Sequence, residues 1–175
     1  MTRRLLASAA GAAALVALGT AAGGSSAAAP PCTGSQLAGS FAVVPGSAGA
    51  GNIVYKLRLQ NRSTKTCFVS GLARLRLLGK TGGALPTKVV AEHPGQLTAV
   101  RVVLRPGDRA HAFARFSPDV PGPGEPVSKR QCEPTAYKVR ITPPPGGGTL
   151  VGPVSPPTPV CEHGGMSLTV LSGGA

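Results

Sequence analysis

Apolar and charged residues alternate along much of the chain from residue 53 onward. Within residues 53–59, for example, the apolar Tyr55 and Leu57 alternate with Lys56 and Arg58. A period of two places successive side chains on opposite faces of a strand, so that one face is buried and the other meets water. The same alternation recurs at 73–77, 100–105, 110–116, 137–141 and 166–170, and shorter apolar runs at 41–44 and 88–91 predict edge strands. The pattern predicts an antiparallel, all-β protein.

Clusters of glycine and proline separate these segments. They lie at 46–51, 79–83, 106–108 and 143–148, and the chain after the N-terminal region offers no helical period with caps. About seven or eight short strands divided by such turns are typical of a β-sandwich. The stretches near 118–126 and 143–159 are too rich in proline and glycine for central strands, so we predict surface loops there. Residues 29–175 are expected to form one domain.

The N-terminal 28 residues have the three parts of an export signal. Arg3 and Arg4 provide a positive head, an uncharged apolar stretch follows, and Ser26 and Ala28 satisfy the small-residue rule for cleavage before Ala29. A membrane anchor is the alternative interpretation, but the middle of the stretch is mostly alanine and glycine, which hold a bilayer weakly. We therefore predict a cleaved signal peptide at 1–28 and a secreted or envelope-associated protein without a transmembrane segment in its mature form.

The four cysteines all follow the predicted signal. An even number of cysteines in an exported chain indicates two disulfides. Four cysteines allow three pairings, which the sequence alone does not distinguish. Their grouping makes Cys32–Cys67 with Cys132–Cys161 the simplest pairing. Zinc is the competing interpretation, but no C-x-x-C motif is present and the Cys161–His163 pair lacks partners at ligand spacing.

The chain is strongly basic, with 18 Lys and Arg against six Asp and Glu and a formal net charge of +12. Most basic residues fall on the outward positions of predicted strands. If those strands are neighbours, they form one basic face that would attract polyanions such as wall polymers or anionic lipids. Ordinary solubilising charge is the alternative. Nucleic acid is disfavoured, because the chain has no set of stacking aromatics. The residues of this predicted face are Lys56, Arg58, Arg74, Arg76, Arg101, Arg105, Arg109, Arg115, Lys138 and Arg140.

Catalytic motifs are scarce. The chain has three histidines, and only His111, three residues after Asp108, lies beside an acid in a way that suggests catalysis. Strand alternation places His111 on the wet face, where a solvated histidine is the simpler interpretation. No G-x-S-x-G elbow and no phosphate-binding glycine loop occurs. Asn61-Arg62-Ser63 matches a glycosylation sequon but is expected to be a turn. We therefore predict no catalytic, cofactor or metal site.

Several short motifs follow one another in a recognisable order. They are Cys32-x-x-x-x-Leu37, Asn61-x-Ser63-x-x-x-Cys67 with Gly71, Leu104-x-Pro106-Gly107 before Ala110, and a late cysteine pair before the last strand. Over the mature domain this order resembles the exported actinobacterial domain-of-unknown-function family 4232. The resemblance implies an immunoglobulin-like β-sandwich, secreted or bound to the cell envelope, and no assigned activity. The chain departs from the family pattern at Gly71-Leu72-Ala73, where Gly-Tyr-Pro is common, and at Phe116, where Trp is common.

Two functions from different classes fit these observations. The first is an exported, non-enzymatic β-sandwich that binds a protein or cell-wall partner through its loops or a sheet face. The second is a polyanion-binding envelope module that acts mainly through charge. An exported hydrolase that uses His111 is a third and weaker hypothesis.

Overall fold

The computed structural model describes residues 28–49, 51–95, 99–126, 132 and 134–174. The signal peptide predicted at 1–28 therefore lies almost entirely outside the described residues. Within the described ranges, no helix has the length and apolar character needed to cross a membrane.

The chain is all-β, as predicted, and its described residues form eleven strands rather than seven or eight. Two short 3-10 helices lie at Gly34–Gln36 and Glu162–Gly164. The strands are β1 (Leu37–Val43), β2 (Ile53–Asn61), β3 (Cys67–Ser70), β4 (Arg74–Leu78), β5 (Lys88–Ala91), β6 (Arg101–Leu104), β7 (Arg109–Phe116), β8 (Ala136–Thr142), β9 (Leu150–Thr158), β10 (Gly165–Leu168) and β11 (Ser172–Gly173).

One large sheet folds around the core. Its strand order is β4-β8-β9-β1-β2-β7-β10-β5, with β11 also paired to β7, and β3 and β6 form a separate two-stranded sheet. Strand β1 joins the two halves, because it pairs antiparallel with β2 and parallel with β9. The close approach of β9 to β1 requires Gly152, since a Cβ there would collide with the backbone of Gly39. The result is an immunoglobulin-like sandwich with two disulfides.

The two halves of the sheet pack against each other through a shared core. Leu75 and Val139 come from the β4–β8 half, Leu57 and Ala112 come from the β2–β7 half, and all four belong to one buried cluster. Within this core, the Tyr55 ring stacks on Phe41 with centroids 4.9 Å apart and also contacts Phe116 at 5.7 Å. Because the inner faces meet in this core, the outer faces of the halves point away from each other.

The structure corrects the prediction of a loop near 143–159, because Leu150–Thr158 is strand β9 and lies between β8 and β1. Pro156 and Pro157 are tolerated there because the ladder with β8 is interrupted. Ala136 pairs with Thr158 and Lys138 pairs with Pro153, so residues 154–157, which include Pro156 and Pro157, bulge out of register. Residues 118–126 contain no strand or helix.

Strand β1 was also predicted at an edge, whereas it is central. Strand β1 is fully buried only at Leu37 and Phe41, and its other residues are exposed or partly covered, so its sequence carries little signal of a central position. Strand β5 does lie at the end of the sheet, as predicted. It pairs in parallel with β10.

Candidate anion-binding surfaces

Four of the ten predicted basic residues lie on the outer face of strands β2 and β7. The register places Arg58 opposite His111 and Lys56 opposite Phe113, whose ring centroid is 5.8 Å from the Lys56 Nζ. Arg109 and Arg115 lie at the two ends of β7. We call Lys56, Arg58, Arg109 and Arg115 the β2–β7 basic surface. Part of its charge is balanced, because a guanidinium nitrogen of Arg115 lies 3.7 Å from Glu92 Oε1.

Four other basic residues lie on the outer face of β4 and β8. Arg76 pairs directly with Arg140, and Arg74 lies opposite Thr142. Lys138 follows on the same face of β8 as Arg140. We call Arg74, Arg76, Lys138 and Arg140 the β4–β8 basic surface. Neither of these strands, nor the neighbouring β9, contains an aspartate or a glutamate.

The remaining two predicted residues, Arg101 and Arg105, belong to the β3–β6 sheet or its end. The Arg101 guanidinium lies 3.9 Å above the Phe68 ring centroid and donates a hydrogen bond of 2.6 Å to the carbonyl oxygen of Ala29. Arg105 follows β6, and its backbone N–H donates to Asp108 Oδ2 at 2.9 Å. Arg101 therefore packs against neighbouring groups, and Arg105 belongs to a turn after β6.

The ten basic residues do not form the single face that the alternation suggested. The β2–β7 and β4–β8 basic surfaces are outward faces of the two halves that share one core, so they point in opposite directions. Periodicity identified the outward positions correctly, but it carries no information about which strands are neighbours. Strand order, and with it the separation of the two surfaces, depends on the fold.

Two cavities open on the β4–β8 half. A cavity of about 390 Å³ is lined by Arg74, Arg76, Arg140 and Thr142 together with Leu72, Ala73, Leu75 and Val89. A second cavity of about 510 Å³ is lined by Lys80, Tyr137, Lys138, Val151, Gly152 and Pro153. The first brings three arginines into one recess, and the second combines two lysines with exposed apolar groups. Sequence alone gave no sign of either cavity, because each joins residues from distant segments.

His111 lies on the outer face of β7 and makes a contact that the sequence did not suggest. Its Nε2 is 3.2 Å from Ser172 Oγ, whereas its Nδ1 is buried and has no hydrogen-bond partner within the described part of the chain. Burial, followed by the nearby charges of Lys56 and Arg58, lowers the pKa of His111. A serine–histidine pair used for nucleophilic catalysis needs a third group that orients the other ring nitrogen. Asp108, the acid considered from the sequence, instead accepts the Arg105 backbone N–H.

A buried carboxylate lies beside the second disulfide. Glu125 and the sulfurs of Cys132 and Cys161 lie within 4.8 Å of one another. The two sulfurs are bonded to each other, and the Glu125 carboxylate accepts three backbone N–H groups. The arrangement therefore functions as a structural junction. The structure confirms the pairing Cys32–Cys67 and Cys132–Cys161.

Asn61 is a fully buried polar residue at the end of β2. Its Nδ2 donates to the carbonyl oxygens of Lys65 and Leu104, at 2.8 and 2.9 Å, and its Oδ1 accepts from the backbone N–H and hydroxyl of Ser63. This is the turn predicted for the Asn61-Arg62-Ser63 sequence. The Asn61 amide nitrogen is used internally, so this buried side chain is not presented for glycosylation.

Fold and surfaces together define a disulfide-bonded, immunoglobulin-like β-sandwich with a basic outer surface on each half. Comparison with protein-family models matches residues 32–172 to the domain of unknown function DUF4232. The chain belongs to this family, which confirms the resemblance seen in the sequence. Neither the curated proteins nor the solved structures provide a match to this chain.

Proposed function

We propose that this protein is an exported, non-enzymatic binding module that holds an anionic polymer or surface of the cell exterior through the β4–β8 basic surface. The observation that carries the proposal is the charge of that half. Arg74, Arg76, Lys138 and Arg140 share its outer face, and strands β4, β8 and β9 contain no carboxylate. Such a surface attracts polyanions and raises their local concentration.

The direct pairing of Arg76 with Arg140 supports this choice of surface. Like charges directly opposite each other on neighbouring strands destabilise a sheet. A bound anion relieves this repulsion, because each guanidinium gains a charge-assisted hydrogen-bond acceptor. On the β2–β7 basic surface, by contrast, Glu92 already balances Arg115. The β4–β8 basic surface is therefore the better anion receptor of the two.

Export is supported by the covalent structure of the domain. All four cysteines are paired, and disulfides persist in oxidising compartments outside the cytosol. The signal-like sequence at 1–28 leads to the same proposal. The non-enzymatic assignment is supported by His111, whose buried Nδ1 has no partner among the described residues that could orient it as a catalytic histidine requires.

A second candidate is a protein partner that docks on the β2–β7 side. Phe113 is 37% exposed at the centre of that surface, with Lys56 and His111 against its ring. Exposed aromatic residues beside cations are common at protein interfaces. This mode of binding would depend on packing as well as charge, so it would be less sensitive to salt.

The test is retention of the purified exported protein on isolated bacterial cell wall across a salt series. We expect retention at low salt and release by about 0.5 M salt, where charge interactions are strongly screened. The double variant R76Q/R140Q should be released at lower salt than the unchanged protein. The matched variant R58Q/R109Q removes the same charge from the opposite half and should behave like the parent in this assay.

Other outcomes separate the hypotheses. Retention that survives about 0.5 M salt and is lost in a Phe113→Ala variant would assign binding to the β2–β7 side instead. Equal loss in the two double variants would show that net charge alone governs retention, which would overturn the assignment to the β4–β8 basic surface.

A further inference from the structure

The cavity of about 390 Å³ lies where the two ends of the folded sheet approach each other. Strands β4 and β5 are the first and last in the sheet order, and the cavity is lined by residues of both. The segment before β5 borders the outer edge of β4. Leu77 accepts the Leu85 N–H at 2.9 Å, and the Leu77 N–H donates to Thr87 Oγ1 at 2.9 Å.

Three guanidinium groups and a hydroxyl line this recess. Arg76 pairs with Arg140, and Arg74 pairs with Thr142, so the four side chains occupy two consecutive outward positions on two neighbouring strands. Directly opposed Cβ atoms lie about 5 Å apart, and positions i and i+2 lie about 7 Å apart along a strand. Side chains as long as arginine can therefore converge on one oxyanion from three sides.

The strand edge adds a backbone donor to this group. Leu77 directs its N–H and C=O away from β8, toward the segment at 85–87. Hydrogen-bonding direction repeats every second residue along an antiparallel strand. Leu75, which lines the cavity, therefore directs its own N–H toward the same open edge. Backbone N–H groups combined with arginines are a frequent setting for anion binding.

We propose that this cavity binds the phosphate group of a phosphate ester of a small polyol or sugar. The proposal deepens the proposed function and rests on it, because it names the chemical group that the β4–β8 basic surface holds. Three arginines suit a phosphate better than a carboxylate, since a phosphate presents more oxygens and, as a monoester, about 1.5 to 2 negative charges at neutral pH. Thr142 supplies a neutral donor that fits an ester or hydroxyl oxygen.

The size and walls of the cavity indicate the organic part of the ligand. A volume of about 390 Å³ is in the range of small-ligand sites and exceeds what one phosphate fills. Leu72, Ala73 and Val89 form an apolar wall beside the arginines. The carbon skeleton of a polyol or sugar can lie against this wall while its phosphate meets the guanidinium groups.

Isothermal titration with glycerol 3-phosphate, at about 0.15 M salt, tests the cavity. The expected result is saturable binding at one site per chain, tighter than binding of inorganic phosphate or of glycerate, which carries a carboxylate instead. R76Q should weaken the glycerol 3-phosphate affinity by about tenfold or more, which corresponds to about 1.4 kcal/mol. R74Q should do the same, and the matched variant R58Q should leave the affinity unchanged.

Absence of saturable binding, or equal binding of glycerate, would overturn the cavity proposal. So would an affinity that R76Q and R74Q leave unchanged while their near-ultraviolet circular dichroism matches that of the parent. These failures differ from a failure of the proposed function. Salt-sensitive cell-wall retention that R76Q/R140Q still weakens would keep the proposed function when the small ligand does not bind.

Two further experiments distinguish whether the phosphate ester comes from a wall polymer or from a lipid headgroup. One measures competition between glycerol 3-phosphate and a soluble poly(glycerol phosphate), and the other measures binding to vesicles with and without phosphatidylglycerol. Competition by the polymer without vesicle binding identifies a wall-type polymer as the source. Vesicle binding that needs phosphatidylglycerol and is lost in R76Q identifies a lipid headgroup. Either result supports the phosphate-ester site.

Discussion

The carboxylate of Glu125 accepts the backbone N–H of His163 at 2.8 Å, although the two residues are far apart in sequence. Its other oxygen accepts the N–H groups of Gly122 and Glu162, at 2.7 Å each. Glu162 and His163 have φ values of 50° and 52°, a left-handed conformation that is uncommon outside glycine. The carboxylate thus joins the loop at 118–126 to the 3-10 turn before β10, beside the Cys132–Cys161 disulfide.

From this junction we predict that the stability of the folded protein decreases at acid pH. Burial acts to raise the pKa of Glu125, but the hydrogen bonds from Gly122, His163 and Glu162 and the His163 side chain outweigh it and hold the pKa below its ordinary value of 4.5. A carboxyl group whose pKa is lowered by folding stabilises the folded protein at pH values above its ordinary pKa. This stabilisation is lost as the pH falls through the folded-state pKa. Thermal unfolding of the parent and of Glu125→Gln should therefore differ most at neutral pH and converge in acid.

Glu92→Gln is the control for this experiment, because it removes an acid from a partly exposed ion pair with Arg115. Its unfolding midpoint should stay close to that of the parent at low ionic strength and at all pH values. A gap between the parent and Glu125→Gln that stays constant from neutral to acid pH would contradict an ionised Glu125 junction.

A second prediction concerns the hydroxyl pair in the core. Tyr55 is 1% exposed, and its Oη lies 2.9 Å from Thr158 Oγ1 of β9, while burial raises the pKa of Tyr55 and keeps it neutral. Tyr55→Phe leaves the buried Thr158 hydroxyl without this hydrogen bond. We expect urea unfolding to show a loss of about 1–3 kcal/mol. The double variant Y55F/T158V should recover part of the loss, because both polar groups are then absent.

Tyr137 offers the matched control for Tyr55, since it is 38% exposed on β8. Tyr137→Phe should change the free energy of unfolding by no more than about 0.5 kcal/mol. If Tyr55→Phe is as mild as Tyr137→Phe, the hydroxyl pair does not contribute to stability and the prediction is wrong.

A third prediction concerns the disulfides and the signal peptide together. Intact-mass measurement of the exported protein should give a chain that begins at Ala29, and reduction should add two hydrogens for each bridge.

The Cys32–Cys67 bridge links residues 35 apart, so replacing both cysteines with alanine should lower the free energy of unfolding by about 3–4 kcal/mol in the chain-entropy model. A mass that does not change on reduction, or an N-terminus at Met1, would contradict the corresponding part.

The failed strand prediction shows where local sequence is insufficient. Pro153, Pro156 and Pro157 argue against a central strand when they are considered alone. In the structure β9 is nevertheless central, because it pairs with both β8 and β1. Pro153 pairs with Lys138, and a bulge opposite Tyr137 removes residues 154–157, which include Pro156 and Pro157, from the ladder with β8. Neither the bulge nor the short parallel contact of β9 with β1 has a local signature. Both result from pairing between distant segments.

At the candidate site, too, local sequence predicted some features and long-range pairing decided others. Alternation alone placed Arg74, Arg76 and Arg140 on outward positions, and the structure confirms those positions as exposed. It could not show that Arg76 lies opposite Arg140, or that the β2–β7 basic surface faces the other way, because strand order is decided by packing. Glu125 was missed as a structural residue, since its partners are backbone groups that any sequence provides.

By itself, the sequence determined the all-β class, the family, the positions of most strands and their outward charges. These properties follow from local periodicity, turn residues and cysteine number, which depend on residues close together in the chain. Only the tertiary structure decided that the basic residues form two opposed surfaces, that three arginines share one cavity, and that Glu125 holds two distant segments. Each of these depends on which strands and loops become neighbours around the core, and that choice is made by long-range packing.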